Sequence, residues 1–146
     1  SYLRLVYEND PSRLADITNR LALEVGGEAP MVKTYSFTQK KAPAVYQKLF
    51  EQTEVRLGDI CRDPAIQTDF LKIVPLVHKR GKTIKVLPPN DLSLMAEDEI
   101  LFCMRPSQKV YFEANISNIH TLDYLLTGID HPKGSFFRWL ENKQAG

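Results

Sequence analysis

FLKIVPLVHKRGKTIKVLPPNDLSLMAEDEILFCMR, residues 70–105, decides the fold. Three β-type runs follow one another in it, over 71–77, 83–87 and 99–104. His78-Lys79-Arg80-Gly81-Lys82 joins the first two as a short polar turn, and its glycine can supply the positive φ of a tight reversal, so the pair predicts a hairpin. Pro88-Pro89 ends the second run, because proline cannot donate to a sheet ladder. Leu92, Leu94 and Met95 are expected to pack under the sheet, before Ala96-Glu97-Asp98 turns into the third run. Ile73, Val77, Ile84, Val86, Ile100 and Phe102 are expected to alternate inward on neighbouring strands. The 71–77 run carries only Lys72 as an internal charge, and Pro75 interrupts its ladder, so it reads as a poorly defended sheet edge.

Upstream, 2–7 reads as a strand. Asp10-Pro11 then opens a helix with a good cap and a proline at its first position. Leu14, Ile17, Leu21 and Val25 form its apolar stripe, and Gly26-Gly27 ends it. A second strand is expected over 31–37, a short helix over 43–51 and a shorter one at Leu57-Gly58-Asp59-Ile60, broken by Asp63-Pro64. Downstream, Pro106 begins another helix, with Val110, Phe112 and Ala114 as candidates for burial, and 116–126 packs against the core. An aromatic segment closes the chain, with Phe136, Phe137, Trp139 and Leu140 close together.

The 146 residues suit one domain or two small ones, and a hydrophobic share of 43% is enough for a core. A net charge of +1 gives no bulk field directed at nucleic acid, so no nucleic-acid partner is expected. No run of about 18 apolar residues is present to span a membrane. Cys61 and Cys103 fit neither a metal spacing nor a disulfide framework and read as buried thiols. The sequence has no dinucleotide-binding glycine loop, Walker loop or nucleophile elbow, and Gly26-Gly27 ends a helix where a phosphate cradle would begin one. His78, His120 and His131 lack ligand spacing, so no metal site is expected. Glu97, Asp98 and Glu99 read as a solvated face at a turn. No catalytic residue, cofactor or enzymatic activity is therefore expected.

Val77–Gly81, Ile84–Pro89, Leu92–Leu94 and Glu97–Leu101 together resemble the C-terminal domain of RCK proteins, the regulators of K+ conductance, also called the TrkA C-terminal domain. That family runs a strand into a charged residue and Gly. A second strand then reaches Pro, and an acidic turn leads into a last apolar strand. The sequence departs from it at Ala96-Glu97, where the family carries Gly before the acid. The resemblance implies an α+β chain: a βαβ-like front segment over 1–53, an RCK-type lobe with a mixed sheet and peripheral helices over 54–114, and a helical and aromatic tail over 115–146. It implies a cytoplasmic, ligand-sensing and assembly domain of a bacterial potassium channel or K+ transport protein, at the inner membrane. Its partners would be its own copies, as a dimer or higher ring, and the membrane pore domain of the parent. Some members bind a cyclic dinucleotide or other anion between two lobes; here His78, Lys79, Arg80, Pro89 and Asn90 are the candidates. A different resemblance starts at the front. Leu3–Tyr7 followed by Asp10-Pro11-Ser12-Arg13-Leu14 is similar to the first strand and helix of an ACT domain, with Ser12 where that family has Gly. It implies an amino-acid-sensing regulatory domain of a metabolic enzyme.

Overall fold

The computed structural model describes residues 29–128. The strand expected over 2–7, the helix over 10–25 and the aromatic segment over 136–140 lie outside the described residues. Within them the chain is α+β. Strand β1 (Met31–Ser36) is followed by helices α1 (Pro43–Phe50) and α2 (Leu57–Ile60). Strands β2 (Ile73–Arg80), β3 (Thr83–Val86) and β4 (Glu99–Met104) come next. A 3₁₀ turn (Pro106–Gln108) then leads into α3 (Lys109–Ser117) and α4 (Ile119–Thr127). The sheet order is β1-β4-β2-β3, and every described pairing is antiparallel where a mixed sheet was expected. The lobe expected over 54–114 thus draws its β1 strand from the front segment, paired to β4 from Met31↔Met104 to Ser36↔Glu99.

The 71–77 run is no edge. β2 lies between β4 and β3, and it accepts a proline because the chain bulges there. Pro75 pairs with Phe102 and Val77 with Leu101, which leaves Leu76 as the extra residue. The Leu76 carbonyl accepts the Leu87 N–H at 2.7 Å. The bulge also reverses the facing of everything after it. Ile73 and Val77 are four apart, so an unbroken strand would point both to one side. Ile73, Ile100 and Phe102 instead face the helices, while Val77 joins Val74, Leu76, Leu101 and Cys103 on the opposite face. Val86 packs at the margin of that second cluster, and Ile84 is exposed. Under the sheet, Leu94 is buried as expected and Leu92 partly so, but Met95 points outward.

The larger core lies between the sheet and the helices. The Phe102 and Phe112 rings pack 4.6 Å apart between centroids with their planes tilted by 54°, and Tyr35 lies edge-on to both at 5.8 and 4.9 Å. Polar ties close the helical layer. The buried Asn115 amide donates to the Ile60 and Arg62 carbonyls, holding α3 against the end of α2. Lys48 pairs with Asp123 across α1 and α4. Asn118 caps α4 by accepting from the His120 and Thr121 N–H groups. Among the described residues no helix is long and apolar enough to cross a membrane.

Candidate functional site

The β2–β3 hairpin is tighter than the sequence suggests. His78, Lys79 and Arg80 belong to β2, paired with Lys85, Ile84 and Thr83, and the turn is only Gly81-Lys82. Gly81 has φ +59°, the positive first turn position that glycine adopts without a Cβ penalty. The strand thereby delivers His78 and Arg80 to one side, where both meet Asp98.

Asp98 is fully buried, although the run Glu97-Asp98-Glu99 reads as a solvated face. Its neighbour Glu97 does stay exposed. The Arg80 guanidinium donates from Nε to Asp98 Oδ1 and from a terminal nitrogen to Oδ2, both at 2.9 Å. The same terminal nitrogen donates to the Ser93 carbonyl at 2.9 Å. The Met95 N–H donates to Asp98 Oδ2 at 2.9 Å, and His78 Nε2 stands 3.1 Å from that oxygen at an angle short of a hydrogen bond. Burial alone would raise the Asp98 carboxyl. The Arg80 fork, the Met95 N–H and His78 outweigh it and hold the group below the ordinary carboxylate range. Two parallel bonds from a planar fork are the strongest form such a pair takes. The cluster thus ties the hairpin end, the β3–β4 link and the start of β4 into one body.

The other sequence candidates lie around it. Lys79 faces its cross-strand partner Glu99, with Nζ 3.9 Å from the carboxylate. Pro89 and Asn90 follow β3, and Asn90 engages helix α2. The Asn90 carbonyl accepts the Gly58 N–H at 2.8 Å, and that of Leu92 accepts the Leu57 N–H at 2.9 Å, so the loop satisfies N–H groups that a helix start leaves open. Glycine at 58 allows this close approach, since a Cβ there would stand 3.1 Å from the Asn90 Cβ and carbonyl oxygen and would have to push the loop back by a few tenths of an ångström. The structure therefore brings His78 and Arg80 together with Asp98 and Ser93. Asn90 belongs to a neighbouring contact with α2, and the Pro89 carbonyl accepts the Leu92 N–H within the loop at 3.1 Å. Asp98 is the member the sequence reading missed. Its signal was the period of two through Asp98, Ile100, Phe102 and Met104, which places it on the inward face of β4.

Glu97, at φ +72°, takes the left-handed conformation directly before that acid. Both cysteines are free and buried, and burial pushes each thiol up, so neither is poised as a nucleophile. Among the described residues no group of three or more His, Cys, Asp or Glu side chains could hold a metal ion. No protein-family model, curated protein or solved structure matches the chain.

Proposed function

We propose that the chain is a regulatory domain of a bacterial potassium channel or K+ transport protein, working at the cytoplasmic face of the inner membrane. The observation that carries this reading is the bond between its two signature turns. Arg80, the last residue of β2 before the Gly81 turn, grips Asp98, of the acidic turn, and the residue before that acid is left-handed, as glycine there would be. The sequence resemblance rests on those same two turns, so the contact gives their spacing a structural reason.

In this reading the domain is not catalytic. Copies assemble as a dimer or ring, and a small anionic ligand at the hairpin biases the attached pore. It can do so only by binding one state better than the other. Arg80 is committed to Asp98 and Lys79 faces Glu99, so an arriving anion meets the exposed edge of Arg80 together with Lys82 of the turn.

The test is potassium flux through the parent protein in vesicles, with cyclic dinucleotides and nucleotides added. The parent carrying Lys82→Gln should respond about tenfold more weakly than the native one, the effect of losing one charge-assisted contact. A parent with neither pore segments nor associated K+ flux overturns the reading. Assembly is checked by light scattering, where a monomer at about 100 μM would be below what a standard-sized interface supports.

A further inference from the structure

We infer that a groove on the helical side, between β1, the turn after it and the first turns of α3, binds a small organophosphate, with the dianionic head held between Lys41 and Lys109. The groove is open and holds about 610 Å³, within the range of small-molecule sites. It shares no residue with the His78–Arg80 cluster, and the inference does not depend on the function proposed above.

Charge in the groove is unbalanced. Glu113 lines it, but that carboxylate is already neutralised: the Lys33 ammonium and the Tyr35 hydroxyl both donate to its Oε2, each at 3.0 Å. Tyr35 is buried, and burial with the adjoining Glu113 charge raises its hydroxyl far above the ordinary value, so it stays a neutral donor. Lys41 and Lys109 also line the groove. Among the described residues neither has a carboxylate partner. Two lysines without carboxylate partners lining one concave surface give it a positive potential that favours an anion. A phosphate monoester supplies close to two negative charges at neutral pH, where a carboxylate supplies one. Lysine binds phosphate as a compact point charge from either side, without the planar match that arginine needs.

The remaining wall defines the rest of the ligand. Pro106, Val110 and Ala114 give an apolar strip beside the two lysines. Asn118 also lines the groove, and because its carboxamide oxygen is used in capping α4, only its amide N–H groups remain to donate. The site therefore suits an ester whose organic part is apolar and compact, and it discriminates against inorganic phosphate by that part alone.

The experiment is amide NMR titration of the full chain with three probes: phenyl phosphate, phenylacetate and inorganic phosphate. Phenyl phosphate should give saturable shifts confined to the amides of Tyr35, Lys41 and 109–118. It should bind about tenfold more tightly than either other probe, the effect expected of one further charged or apolar contact. Lys41→Gln and Lys109→Gln should each weaken it about tenfold, and the double variant should abolish it. Lys41 is exposed and Lys109 half-exposed, so both variants keep the fold, and unchanged amide positions elsewhere check this. No saturation up to about 10 mM phenyl phosphate overturns the inference. So does equal binding by the double variant, equal binding of phenylacetate, which would mean that the second charge is unread, or equal binding of inorganic phosphate, which would mean that the apolar strip is unread.

Discussion

At Asp98 a buried carboxylate depends on one arginine. Arg80→Ala would leave it with only the Met95 N–H and the neighbouring His78. A buried charge deprived of its main partner is expensive, and water can enter where the half-exposed Arg80 chain stood, so the loss should be about 2–3 kcal/mol. Urea unfolding of the variant measures it, and a change below about 0.5 kcal/mol would mean that the pair is a surface contact. The pH dependence has a defined sign. The folded Asp98 is more acidic than the unfolded one, so its stabilisation is complete above about pH 4 and fades as the pH falls through the lower folded value. Arg80→Ala raises the folded value and should shrink that acid-dependent part of the stability. At the adjacent position, Glu97→Gly should stabilise. A left-handed non-glycine residue costs about 1–2 kcal/mol, glycine's extra chain entropy about 0.5–1, and the difference is a gain of about 0.5–1 kcal/mol. A loss in the same urea measurement would show that the Glu97 side chain holds the turn.

At the scale of an element, helix α1 ends in a Schellman motif with the wrong residue. The Thr53 N–H donates to the Lys48 carbonyl at 2.9 Å and the Gln52 N–H to that of Leu49 at 3.0 Å. Gln52 is left-handed at φ +63°, the position glycine usually fills. Gln52→Gly should therefore raise stability by about 0.5–1 kcal/mol, read as a higher urea midpoint with an unchanged m-value; a lower midpoint would mean that the Gln52 side chain contributes more than its backbone strain costs. The elements themselves were legible where local chemistry sets them. Pro43 begins α1, Pro106 the 3₁₀ turn and Pro88-Pro89 the end of β3, each by a missing N–H or a fixed φ. What escaped sequence reading was long-range. Nothing local tells that Pro75 sits at a bulge in a central strand, because the bulge exists only against β4. The same shift hid the facing of Val77. Of the site, Arg80 and His78 were legible as polar residues near a turn, but the shorter turn placed them in β2. Their partner Asp98 was hidden by two flanking carboxylates that do stay toward solvent.

At the scale of the molecule, β4 carries adjacent residues into two different apolar clusters. Ile100 is fully buried among the helices, and Leu101, 7% exposed, is buried with Val74, Val77 and Cys103 on the other face. Whether those clusters are one cooperative structure is a matter of coupling through the strand that they share. β4 is bonded on both sides, to β1 and to β2, so opening either face would cost ladder bonds that hold the other. The two clusters should therefore melt together. Ile100→Ala and Leu101→Ala are each expected to cost about 2–5 kcal/mol, the transfer free energy of the lost methyl groups plus the cavity left behind. Against a total stability on the order of 5–15 kcal/mol, either loss is large enough to be measured without ambiguity. The decisive reading is the form of the curve. Both variants should shift the urea midpoint at constant m-value in a single transition, by fluorescence of the chain and by circular dichroism alike. If Leu101→Ala instead splits the transition, or lowers the m-value while Ile100→Ala does not, the second face is a separate layer that can open over an intact helical core. A cost below about 0.5 kcal/mol for Ile100→Ala would go further, since a fully buried residue on a central strand cannot be so cheap to truncate, and the facing of β4 itself would be wrong.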